Sequence, residues 1–141
     1  MNRTEDWPER MDATIGDWMQ RSFSWEANNC AFFIADVVLS MTGVDPAARY
    51  RGRLRKGRLE RYSTSRFARL AVRIVERELI RAGASEVATP FAKRGDVMFY
   101  NDEIAGPCAG ICNGANAVYL SPERGLVSVP RDRCHKSLEI G

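Results

Sequence analysis

The stretch FSWEANNCAFFIADVV, Phe23 to Val38, decides how this chain is read. Two asparagines, Asn28 and Asn29, stand just before a cysteine that opens an apolar run. Either asparagine suits a helix N-cap, because its side-chain oxygen can accept from a first-turn N–H that has no partner inside the helix. The run CAFFIADVVLSM is apolar on nearly every side, broken by Asp36 and Ser40, and stops at Gly43. A helix of that kind is expected at the centre of a domain, with the glycine just past its end. Cys30 then falls in the first turn. The partial positive charge of a helix N-terminus favours thiolate and would lower the thiol pKa; the plainer expectation is a small buried hydrophobe, since free cysteine is among the most buried residue types. A cysteine nucleophile also needs a histidine as its base, and a polar group to orient that histidine. The chain has one histidine, His135, seven residues from its end.

Two further helices are expected outward from this run. In WPERMDATIGDWMQR, Pro8 suits a first helical position, and Met11, Ile15 and Trp18 recur at helical spacing. In SRFARLAVRIVERELIRAGA, Phe67, Leu70, Ala71 and Ile74 form one stripe that Gly83 can end. Trp18 and Trp25 are expected to anchor the core, and Trp7 to staple the entry of the first helix. The second half changes character. RGDVMFY reads as a turn and a strand, and CAGICNG, NAVYLS and GLVSVP as three more strands between Gly, Asn and Pro breaks. Helices first and an antiparallel sheet second make an α+β domain: three N-terminal helices packed on a small C-terminal antiparallel sheet.

The 141 residues suit one domain spanning 1–141 with one real core. Apolar residues make up 45% and charged residues 28%, ordinary values for a globular chain. No apolar run approaches the roughly 20 residues of a membrane span, so no membrane partner is expected. The polar start MNRTEDWPERM has no apolar signal core, so the chain is expected to be made in a cytoplasm and to carry no structural disulfides.

The pattern of FSWEANNCAFFIADVV, then RGDVMFY, then CAGICNG resembles the NlpC-type cell-wall cysteine peptidases, a papain-like superfamily. It looks most like a short phage-encoded branch found among tail genes. In that branch the opening reads aromatic-x-Trp-Gly, two residues, Asp-Cys. An Arg-Gly-Asp turn with a strand follows, and then a His-x-Gly-hydrophobic block. The likeness runs from EDWPERM to VSVPRDRC. The resemblance places Cys30 at the nucleophile and Arg94, Gly95 and Asp96 at the turn. Gly110 and Ile111 fall in the histidine block, whose histidine position falls on Cys108. The third polar position falls near Leu120. Glu26 stands where the branch has Gly, and Asn29 where it has Asp.

The resemblance therefore implies an NlpC-like fold without its base, and the chain is not expected to be an active enzyme. A thiol at position 108 cannot do imidazole's acid–base work near neutral pH. In that place its side chain should point toward Cys30. The expected function is a structural component of a bacteriophage tail or tail tip. It would sit in the virion beside other tail proteins of the hub, distal tail or tape-measure type, after synthesis in a host bacterial cytoplasm. One alternative is an active thiol hydrolase cutting peptidoglycan peptides in genome entry, with Cys30 catalytic. Another is a nucleic-acid-binding protein.

That last alternative rests on a basic connection at about 45–63. RYRGRLRKGRLER carries Arg51, Arg53, Arg55, Lys56 and Arg58, the expected partner-binding residues, against only Glu60. Guanidinium forks pair with carboxylate or phosphate, so an acidic protein surface is expected, or a nucleic-acid backbone. Few aromatics interleave the run, which argues against base recognition. No cofactor or metal is expected. If CAGIC is a strand, Cys108 and Cys112 stand roughly 13 Å apart and cannot share one ion. If it is a loop, a cluster with Cys30, Cys134 and His135 becomes available.

Overall fold

The computed structural model describes residues 1–54 and 64–141. Asn29 caps the central helix α2, Cys30–Thr42, its side chain accepting from Phe32 N–H at 3.0 Å. Gly43 closes α2 in the left-handed conformation at φ 77°, its N–H donating to Leu39 O, a geometry that costs glycine nothing. Helix α1 spans Trp7–Trp18, with Pro8 in its first turn. Helix α3 spans Thr64–Arg81. Gly83 follows it at φ 108°.

One antiparallel sheet carries six strands: β1 Ser85–Val87, β2 Val97–Asp102, β3 Gly106–Cys112, β4 Asn116–Ser121, β5 Gly125–Pro130 and β6 Lys136–Glu139. Their spatial order is β1-β6-β2-β3-β4-β5. The four strands expected from sequence form β2 to β5. Strands β1 and β6 were not expected, because SEV and KSLE are short and lack alternation. They form because β6 slots between β1 and β2, where Leu138 is fully buried. None of the described helices is long and apolar enough to cross a membrane.

The core lies between the helices and one face of the sheet. Met11 and Trp18 of α1, Phe33, Ile34 and Val37 of α2, and Leu79 of α3 pack with Val97, Ile111 and Leu138. Full burial of one such side chain stabilises by about 1.5–3 kcal/mol. Trp18 meets Phe33 edge to face at 5.7 Å. Its indole N–H donates to Asp36 at 2.9 Å, which explains the acid in an otherwise apolar helix. The other face of the sheet holds a smaller cluster of Met98, Cys108, Cys112, Ala117, Tyr119 and Val129, joined by Ala92 and Cys134.

Candidate functional site: the cysteine at the start of α2

Cys30 sits where α2 begins and its thiol is buried in the main core, both as expected. Backbone N–H groups of Ala31 and Cys30 do favour the thiolate, yet burial outweighs them and raises the pKa from 9.0 to about 11. The buried reading therefore holds, and the lowering by the helix end does not prevail. The partial charge of a helix end is worth a fraction of a kcal/mol to about 2 kcal/mol, whereas desolvation can move a buried group much further.

Asn29 holds the entry to this position rigid. Besides capping α2, its amide donates to Trp25 O at 2.8 Å. Trp25 in turn packs on Phe67 of α3 at 4.2 Å between ring centroids. An aspartate could accept from Phe32 but could not donate to Trp25, so the amide at this position serves both neighbours. Asn29→Ala is expected to lower stability by about 1–2 kcal/mol. Asn29→Ser should recover part of that loss by restoring the cap alone. Urea unfolding midpoints check both.

Cys108 does not join Cys30. Tyr100 pairs with Cys108 and Met98 with Gly110 across β2 and β3. Strand alternation then turns Ala109 and Ile111 toward the helices, and Cys108 and Cys112 toward the second cluster. The expectation that Cys108 points at Cys30 is therefore corrected by the register. Burial raises the Cys108 thiol to about 12, with the charges of nearby Cys30 and Asp102 adding to the effect. The two sulfurs thus lie within electrostatic reach but pack apart. The helix-facing neighbour on β3 is Ala109, which has nothing to titrate. CAGIC is a strand, so Cys108 and Cys112 are separated along it. Cys134 lies near Cys112 in the second cluster.

His135 is exposed just before β6, its backbone N–H donating to Phe99 O at 3.0 Å. Leu120 is buried in the main core. Asp96, of the Arg-Gly-Asp turn, is fully buried and structural. It accepts from Arg3 Nη2 at 2.7 Å, Lys93 N–H at 2.7 Å and Ile140 N–H at 3.1 Å. Arg3 had no signal in the sequence that linked it to this turn. Gly95 takes φ 93°, and a Cβ there would meet Arg3 Nη1 at 2.9 Å, so glycine is needed twice over.

Of the expected partner-binding residues, Arg51 is engaged within the fold. It donates to Asp36 and Asp45, both at 2.6 Å, and lies over the Phe32 ring. Arg53 is exposed. Arg55, Lys56 and Arg58 lie outside the described residues.

The model of the family described as "Domain of unknown function (DUF6950)" matches residues 2–140. The chain belongs to the DUF6950 family. No curated protein matches it. Among solved structures, this DUF6950 chain is similar to "Crystal structure of NlpC/p60 domain of peptidoglycan hydrolase SagA", with a TM-score of 0.58 and 13% identity. That match covers 93% of this chain and 97% of the other. At that identity the likeness concerns the fold: three helices on an antiparallel sheet, in the NlpC/p60 arrangement.

Proposed function

We propose that this DUF6950 protein is a structural component of a bacteriophage tail or tail tip that keeps a cysteine-hydrolase fold without its chemistry. The observation that carries the loss of chemistry is Cys30. It stands at the helix start that an NlpC-like fold uses for a nucleophile, yet it is buried, its pKa is raised to about 11, and no imidazole packs with it. Removing one member of a nucleophile–base unit typically costs orders of magnitude in rate. The phage setting is supported by the sequence resemblance to the tail-gene branch. In this reading the chain is made in the host cytoplasm and ends in the virion, held by tail proteins of the hub, distal tail or tape-measure type.

Purified protein is expected to release no fragments from peptidoglycan stem peptides. Particles of the encoding phage should contain the protein by mass spectrometry, and Cys30→Ala should leave infectivity near normal. A digestion product that vanishes in Cys30→Ala would overturn the inactive reading. Particles lacking the protein would overturn the structural one.

A further inference from the structure

The helices leave a space between them that the core does not fill. A cavity of about 110 Å³ lies between α2, α3 and the segment 46–54. Four alanines, Ala31, Ala35, Ala47 and Ala71, line it where larger side chains would close it. Phe67 and Leu79 form further walls. It is not sealed inside the fold, because Leu70 also lines it and is 49% exposed. Its walls are almost wholly apolar, so water gains few hydrogen bonds there. An apolar cavity of ~150 Å³ stays dry and takes up a benzene-sized molecule. The space here is of the order of one leucine or phenylalanine side chain.

Charge surrounds the apolar part. On α3, Arg69 and Arg73 are exposed and flank Leu70, one beside it and one a turn along. On the opposite wall, Arg49 and Arg53 are exposed beside Tyr50 and Leu54, both of which line the cavity. Among the described residues, no carboxylate lies within ion-pair distance of these four arginines. Arg77 differs, since it donates to Tyr50 OH at 2.9 Å and ties the two walls together. Glu78, the acidic residue at the cavity, is buried beside Arg77 and Arg81 at 3.6 and 3.4 Å. It therefore offers little negative charge outward.

We propose that this cavity receives one apolar side chain of a partner protein, presented on a segment with acidic residues on either side. An apolar anchor in a pocket supplies most of the energy in many interfaces. A ring of exposed arginines selects acidic flanks and rejects basic ones. This occupant follows from charge complementarity and size. A nucleic-acid backbone would satisfy the arginines but leave the apolar cavity empty. The proposal rests on the partner-binding part of the function proposed above, and not on its phage setting.

The test uses the full chain and three short synthetic peptides: glutamates around one central leucine, the same with Leu→Ser, and the same with every Glu→Lys. Binding is followed through the methyl resonances of Ala35, Ala71 and Leu79. The leucine–glutamate peptide is expected to shift these methyls and saturate. The serine and lysine peptides should bind at least tenfold more weakly. Ala71→Leu, which fills the space, should abolish the methyl shifts. Arg69→Glu combined with Arg73→Glu, on the surface, should weaken binding at least tenfold while the thermal melt stays unchanged. Equal binding of the serine peptide, or no methyl shift with the leucine peptide, would overturn the proposal. So would a double-stranded DNA fragment that binds more tightly than the peptide, with a steep salt dependence. That result would assign the arginines to nucleic acid. A failure here leaves the tests of hydrolysis and particle content unaffected.

Discussion

Asp96→Ala is expected to destabilise the protein by about 3–5 kcal/mol, because it leaves a buried guanidinium without its counter-charge. Asp96 is fully buried, and the Arg3 side chain that it pairs with is only 13% exposed. Arg3 also donates to Arg94 O and Ile140 O, both at 2.6 Å. One carboxylate and one guanidinium thus fasten three distant segments: the N-terminus, the turn before β2 and the chain after β6. Removing the carboxylate also strands the N–H groups of Lys93 and Ile140, each an added cost of the order of 1–3 kcal/mol where it stays buried. Arg3→Ala should lose a comparable amount, since it leaves a buried carboxylate unpaired. The double variant should lose less than the sum of the two, because the groups act as one unit. Urea unfolding of the three variants measures this. A loss under about 1 kcal/mol for Asp96→Ala would show that the pair does not hold the fold.

Alkylation of Cys30 by iodoacetamide at pH 8 is expected to run about 100-fold slower than that of an unstructured cysteine. The thiolate is the reactive form, and a rise from 9.0 to about 11 lowers its fraction by that factor. Peptide mapping after timed labelling reads the rate. Labelling faster than that of a free thiol would revive a reactive cysteine. The same burial sets a dependence of stability on pH. The unfolded thiol loses its proton near 9, while the folded one keeps it until about 11. Between those values the folded state binds more protons, so stability falls as pH rises. The stabilisation is complete below 9 and gone above about 11. Cys134 is raised to about 11 and Cys108 to about 12, both chiefly by burial, so they act in the same direction. Unfolding midpoints between pH 8 and 11 should therefore decline, and Cys30→Ala should make the decline shallower.

Much of the frame was legible along the chain because its causes are local. Asn29 and Gly43 mark the two ends of α2 through hydrogen bonds that span at most four residues. The short apolar runs VMFY and NAVYLS, set off by Gly, Asn and Pro breaks, mark strands through neighbouring residues alone. That the chain has one histidine, His135, was legible too, and the fold leaves it exposed just before β6.

Other features depend on partners far along the chain. SEV and KSLE become strands only because β6 finds an edge between β1 and β2. Asp96 looked like part of a turn, and its counter-ion Arg3 lies 93 residues away. Arg51 and Arg53 are alike in sequence, but only Arg51 meets Asp36 and Asp45 in space. For Cys30 the contrast is sharpest. Its place at a helix start was set by neighbouring residues, whose N–H groups favour a thiolate. Whether that preference prevails depends on how much water reaches the sulfur. That was decided by the packing of three helices and a sheet around it, a quantity no short stretch of sequence contains.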